Sequence, residues 1–295
     1  MSRRIAVPSR IHCKQSFMST CIFILAAGRS GNAAATYSAC MFDPAQSISG
    51  FVVGVIVGLT GVGGGALMTP LLMLVFGIHP ATAVGTDLLH AAVTKAGGTY
   101  VHARHGRVDW RIMGLLAAGS IPAAILTLFG LHHFTGGLGG SRVITLVLGC
   151  ALVLTACALA LRPHLRRLSR TPAIPVPRPP VLTAAAGLVL GFVVTVSSVG
   201  AGALGVTALF LLYPQLKTSR IVGSDLAHAV PLTLVAGLGH WMFGSVDFHL
   251  LLSLLTGSLP GIYIGSHFAG RIPETLLRWI LAAILLLVGI KLIAF

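Results

Sequence analysis

Acidic residues are the scarcest component of this 295-residue chain: there are six, against twenty Lys and Arg, for a formal net charge of +14. Charged residues of either sign make up 9% of the sequence, where a soluble globular domain carries about 25%. That shortage excludes an ordinary soluble fold, because too little charge is present to cover a hydrated surface. The positive excess does not point to nucleic acid, since the basic residues fall in the gaps between apolar runs and form no stripe. In a membrane protein such clusters report topology. Cysteine is sparse too, and its five copies show no metal or disulfide spacing. Cys13, Cys21 and Cys40 precede the apolar runs, and Cys150 and Cys157 fall within one of them as small packing residues. Also missing are a nucleophile elbow, a zinc-binding HExxH, a Walker loop and any Cys/His metal pattern. These absences give no support to an enzyme, a resident cofactor or a metal, and leave a secondary carrier, a channel or a membrane subunit.

What the chain does have is a duplication. Val84-Gly85-Thr86-Asp87-Leu88 returns 138 positions later as Val222-Gly223-Ser224-Asp225-Leu226. His90 and His102 return as His228 and His240, Gly106, Val108 and Asp109 as Gly244, Val246 and Asp247, and Gly119, Ser120 and Pro122 as Gly257, Ser258 and Pro260. Upstream, at an offset of 137, Val62-Gly63-Gly64-Gly65-Ala66-Leu67 matches Val199-Gly200-Ala201-Gly202-Ala203-Leu204. Four of the six acids therefore form two repeated pairs.

The apolar runs number ten, in two sets of five. The first set covers about 47–60, 66–78, 81–101, 110–131 and 142–161, and the second about 181–197, 203–213, 219–239, 247–268 and 275–294. The expected organisation is a first membrane repeat over 41–161, a basic Pro-rich cytoplasmic linker over 162–180 and a second repeat over 181–295. Residues 1–40 read in two ways. Arg3, Arg4, Arg10 and Lys14 before the short apolar stretch Phe17–Ala27 resemble a secretory signal; alternatively translation starts at Met41.

Lys and Arg mark the cytoplasmic side of a membrane protein, and they alternate between the halves. The loop between runs three and four carries Arg104, Arg107 and Arg111, while its counterpart around Gly239–Val246 has none. The loop between runs two and three has none, while its counterpart carries Lys217 and Arg220. The distribution predicts an all-α polytopic membrane protein of two inverted five-segment repeats with glycine-broken helices, both termini facing outward. Each repeat then makes an odd number of crossings: five full ones, or three plus a re-entrant pair.

Broken segments at matching positions of two halves point to a transporter's binding site. Gly61, Gly63, Gly64 and Gly65 interrupt one apolar stretch, and Gly200 and Gly202 interrupt its twin. Glycine lets backbone approach a ligand closely, and a helix that starts after such a break aims N–H groups at an anion. Ionisable groups at membrane depth are costly and usually face a cavity or a partner. Asp87 and Asp225 lie inside runs three and eight, each with a His three positions on, His90 and His228, on the same helical face. Lys95 lies further along run three, opposite Thr233 in the second half, and is expected to pair with Asp87 or to face a hydrated anion path. Thr86 and Ser224, beside the acids, complete the candidate substrate-binding set. Asp109 and Asp247 each open a run after Gly-x-Val and read as helix N-terminal residues.

The segment Gly58-Leu59-Thr60-Gly61-Val62-Gly63-Gly64-Gly65, together with Ala83-Val84-Gly85-Thr86 and Gly106-Arg107-Val108-Asp109-Trp110 and their echoes, resembles the TauE/SafE family of sulfite and organosulfonate exporters. The resemblance covers about 47–295 and implies an inner-membrane carrier for small, often sulfur-containing anions. The expected function is secondary transport of small anions, most simply export, with a small anion and the lipid bilayer as partners and no nucleic acid. A proton-coupled anion importer and a non-transporting assembly protein are the alternatives.

Overall fold

Twenty or so apolar residues in a row can satisfy their backbone in lipid only as a helix or a closed barrel, and the computed structural model is helical. It describes residues 43–60, 65–134, 139–168, 180–268 and 274–294, among which there is no strand. The first half comprises α1 (Pro44–Thr60), α2 (Gly65–Leu74), α3 (Pro80–Arg104), α4 (Trp110–Phe134) and α5 (Gly139–Leu168). The second comprises α6 (Pro180–Ser197), α7 (Leu204–Leu212), α8 (Thr218–Met242), α9 (Phe248–Phe268) and α10 (Glu274–Ala294). Helices and apolar runs coincide to within a few residues, except that α2 stops at Leu74, short of the run's expected end, and α5 continues to Leu168, seven residues into the expected linker. The chain turns there through Gly77, whose φ of 63° suits a residue without a side chain.

Six of these helices, α4, α5, α6, α8, α9 and α10, are long and apolar enough to cross a membrane. α3 has the same 25 residues as its twin α8 but is more polar, and its polar residues Thr86, Asp87, His90 and Lys95 are all buried. α2 and α7 have ten and nine residues, about 15 Å at 1.5 Å per residue, half of what a full crossing needs. The large apolar side chains left outside, such as Leu126, Tyr263 and Leu287, form the lipid-facing surface that such a bundle requires.

Small residues decide how the helices pack, because lipid tails are as apolar as leucine and backbone approach must supply the attraction. α1 lies against α9, where a Cβ on Gly50 or Gly54 would meet the backbone of Leu254 or Ser258. α6 lies against α4 in the same way, Gly187 facing Leu116 and Gly191 facing Ser120. From the other side, Gly257 meets the Ser47 carbonyl and Gly119 the Ala184 carbonyl. The first helix of each half is thus packed on the fourth helix of the other. α3 pairs with its own twin α8, and α5 with its twin α10. Two core clusters correspond: Val53, Leu72, Ala83, Leu250 and Leu254 on one side match in turn Leu190, Leu209, Ile221, Ile112 and Leu116 on the other, while Met68 joins the first cluster and Val206 the second without being counterparts.

Candidate functional site

The duplicated polar residues sit on α3 and α8, and the pairing of these two helices brings them to the centre of the bundle. Thr86 and Asp87 are fully buried, His90, Asp225 and His228 are at most 2% exposed, and Lys95 is 5% exposed. A buried polar group needs a partner, and the partners repeat between the halves. His90 Nε2 shares a hydrogen bond with Ser258 Oγ at 2.8 Å, and His228 Nε2 shares one with Ser120 Oγ at 2.7 Å. The Thr86 hydroxyl accepts from the Asp247 N–H at 3.1 Å, and the Ser224 hydroxyl accepts from the Asp109 N–H at 2.8 Å. Thr86 and Ser224 thereby tie α3 and α8 to the start of the other half's fourth helix. Asp109 Oδ1 in turn accepts from the N–H groups of Arg111 and Ile112, and Asp247 Oδ1 from those of His249 and Leu250. These are the N-terminal caps expected of the two acids.

The acids and Lys95 break the pattern. Asp87 is held in place: Thr69 Oγ1 donates to its Oδ2 at 2.5 Å, and His90 Nδ1 lies 3.6 Å from its Oδ1. Val206 stands where Thr69 would have its twin, so Asp225 has no such hydroxyl, and its Oδ1 has no hydrogen-bond partner among the described residues. The Asp225 carboxylate lies instead against Gly205, in the first turn of α7, where a Cβ would collide with Oδ1. Met68, the counterpart of Gly205, carries a full side chain in the first half and is fully buried in a core cluster.

The pairing expected of Lys95 with Asp87 is not what the structure builds. No Lys95–carboxylate ion pair within 4 Å is present among the described residues. Lys95 Nζ donates to the Ala201 carbonyl at 2.9 Å, reaching from α3 into the glycine break of the other half. The physical reason is length: the four-carbon stem lets the ammonium reach a carbonyl on the facing element rather than Asp87, the one acid on its own helix. Asp225 and Asp87 both act on it electrostatically from the surroundings. The twin of Lys95, Thr233, hydrogen-bonds within its own helix, to Ala229 and Val230.

Of the glycine segments, Gly61, Gly63 and Gly64 lie outside the described residues, and Gly65 opens α2. The second break is described in full. Gly200 and Gly202 have φ of 116° and 129°, values natural to glycine. The flanks of both breaks, Ala66 on one and Val199 and Ala203 on the other, lie in one core cluster with α5 and α10. Among the described residues no group of three or more His, Cys, Asp or Glu is placed to hold a metal.

Ser120, Ser258, Thr69, Ala201 and Gly205 were not singled out as site residues by sequence reasoning. Ser120 and Ser258 had a signal, since Gly-Ser-x-Pro is repeated at the same offset as the histidines. Ala201 had none, because a carbonyl acceptor belongs to every residue.

Comparison with known proteins gives one consistent answer. Residues 47–292 match the family model described as Sulfite exporter TauE/SafE. "Probable membrane transporter protein YjnA" of Bacillus subtilis is 42% identical over 250 residues, covering 83% of this chain and 98% of that protein. "Probable membrane transporter protein YdhB" of the same organism is 30% identical over 236 residues, covering 77% and 91%. "Probable membrane transporter protein MJ0441" of Methanocaldococcus jannaschii is 25% identical over 267 residues, covering 84% and 94%. No solved structure matches the chain.

Proposed function

The chain belongs to the sulfite exporter TauE/SafE family, and from that premise we propose that this multi-pass membrane transporter carries small anions of the sulfite and organosulfonate type out across the plasma membrane. The observation that carries the anion reading is Lys95. It is a buried ammonium that the first half delivers to the broken helix of the second, hydrogen-bonded to the Ala201 carbonyl. Fixed positive charge and helix N-termini at a break are how membrane proteins make an anion welcome at depth. Thr86, Asp87, His90, Lys95, Ser224, Asp225 and His228 gather on the paired helices α3 and α8 beside that break, and this gathering supports their assignment to the substrate path.

Export fits the physics of the membrane potential. Expelling one negative charge gains about 2.3 kcal/mol per 100 mV, so an anion exporter needs no ATP site. The inverted arrangement of the halves belongs to the same proposal. It is supported by the opposed Lys and Arg and by the reciprocal packing of α1 on α9 and α6 on α4. Purified protein in liposomes, given sulfite, sulfate, sulfoacetate and methanesulfonate in turn, tests the reading. Efflux of at least one of these driven by an imposed potential is expected, and movement of none of them overturns it. A second reading, proton-coupled import, is favoured by the buried Asp87–His90 contact and by the buried Asp225; it predicts uptake that stops when the proton gradient is clamped.

A further inference from the structure

The segment from Ser198 to Ala203 ends α6 and leads into α7, and its backbone is unusual. Ser198 is the one non-glycine residue with positive φ among the described residues, at 58°, and Gly200 and Gly202 follow at 116° and 129°. Val199 and Ala201, between them, do not share that sign. Backbone of alternating φ sign turns neighbouring N–H groups toward a common concavity. The N–H groups of Gly200, Ala201, Gly202 and Ala203 find no acceptor among the described residues. The nine-residue helix α7 starts directly after them, so these donors also carry the partial positive charge of a helix N-terminus. Ser198 Oγ lies buried in the same segment with no hydrogen-bond partner among the described residues. Lys95 spends one of its three donors on the Ala201 carbonyl and keeps two.

One negative group already sits at this positive end. The Asp225 carboxylate rests against Gly205, in the first turn of α7, with Oδ1 unpartnered among the described residues. The first half differs: Met68 stands at the counterpart of Gly205, and Asp87 is anchored through Oδ2 by Thr69, so that only its Oδ1 is without a hydrogen-bond partner among the described residues. The halves are duplicates, yet only the second clears space for a carboxylate at the start of its short helix. Two anions cannot share so small a region of positive potential in a low-dielectric interior without strong repulsion.

Building on the carrier reading, we propose that the transported anion binds at the N-terminus of α7, on the N–H groups of residues 200–203, Ser198 Oγ and Lys95 Nζ, and that it binds only when Asp225 has taken up a proton. The ionised carboxylate competes with the anion for one positive site. A proton converts the competitor into a neutral neighbour that can donate a hydrogen bond, so each anion is accompanied by one proton. A divalent anion such as sulfite then still carries one net negative charge outward down the potential, while a monovalent sulfonate crosses without net charge. The groups around Asp225 allow this assignment. From α3, Lys95 faces it, with Asp87 and His90 engaged by Thr69 and Ser258. From α5, Arg162 acts on it at longer range. Its own helix offers His228, which is bonded to Ser120. α4 carries its titratable groups only near its ends, at Arg111, His132 and His133, and α6 and α7 carry none.

The test is equilibrium binding of sulfate and methanesulfonate, whose charge is constant around neutral pH, to the full chain purified in detergent. Binding is measured across pH, with proton uptake followed by a dye in weak buffer. Wild-type affinity should fall about tenfold per pH unit on the basic side, the slope of one linked proton, with one proton taken up per anion. Asp225→Asn should bind equally at every pH and take up no proton. Ser198→Ala should bind more weakly with the pH profile unchanged. Gly205→Ala, which forces the carboxylate off α7, should flatten the profile, and it keeps the question answerable if Asp225→Asn fails to fold. An Asp225→Asn profile that follows the wild type, or binding without proton uptake, overturns the proposal and leaves an anion carrier standing. Binding of neither anion by the wild type at any pH overturns this proposal and the anion reading together.

Discussion

Replacing Lys95 by Met keeps the apolar stem, deletes the ammonium and creates no cavity. Lys95 is 5% exposed, and its ammonium donates to the Ala201 carbonyl at 2.9 Å. A hydrogen bond from a charged donor is worth about 1.5–3 kcal/mol, which converts to roughly 10- to 150-fold in an equilibrium constant at 1.4 kcal/mol per decade. Two losses act together: the break loses the donor that fixes Ala201, and the anion loses its nearest fixed cation. Anion affinity in Lys95→Met should therefore fall at least about tenfold. Lys95→Gln, which donates without charge, should fall between, and Lys95→Arg should keep part of the affinity. The assay is the KM for anion flux in proteoliposomes, with monodispersity in detergent as the folding check. Thr233→Ala supplies the control, because that hydroxyl serves only its own helix and its loss should leave KM unchanged. Wild-type KM in folded Lys95→Met protein would refute the reasoning and return Lys95 to a purely structural tie.

Three further outcomes are expected. In a background without native cysteines, Arg107→Cys and Ser245→Cys, equivalent in the duplication, should label from opposite sides of the membrane; labelling from one side would remove the inversion. Gly257→Ala and Gly119→Ala, whose Cβ atoms would meet the Ser47 and Ala184 carbonyls, should each cost about 1–3 kcal/mol as overpacking. Gly97→Ala, with open space around it, should be neutral or slightly stabilising, and thermal melts in detergent separate the cases. Asp109→Ala and Asp247→Ala each remove a helix cap and should lower stability by a similar amount, about 0.5–2 kcal/mol, without shifting the KM; a KM shift in either would place that acid on the substrate path.

The sequence made the helices legible because a membrane allows few solutions: an apolar run of sufficient length is a helix, and the matched runs name its twin. Asp109 and Asp247 were readable as caps because Gly-x-Val-Asp before an apolar run is a local signal. The histidine–serine bonds were only half visible: both residue types were repeated, but nothing local says that His90 meets Ser258 rather than a serine of its own half. Lys95 shows the limit more sharply. Its spacing from Asp87 suggested an ion pair, while its partner is a carbonyl 106 residues away, fixed by how α3 crosses the second break. The asymmetry at Asp225 was present in the sequence as Gly205 opposite Met68 and Val206 opposite Thr69, but its meaning needs the carboxylate's position against α7.

The exchange of first helices has a consequence for biosynthesis. Ser47 on α1 hydrogen-bonds to the Ser253 carbonyl on α9, 206 residues further along the chain. At about 5–20 residues per second, α1 is inserted roughly 10–40 seconds before its partner exists. During that interval Gly50 and Gly54 present a bare backbone groove to lipid, or to whatever chaperone or neighbouring nascent chain reaches it first. The second half has no such wait, because α4 is already in place when α6 emerges. Assembly of this protein is thus ordered from the middle of the chain outward, and co-expressing the two halves as separate chains should restore a functional carrier wherever α1 can find α9 in trans.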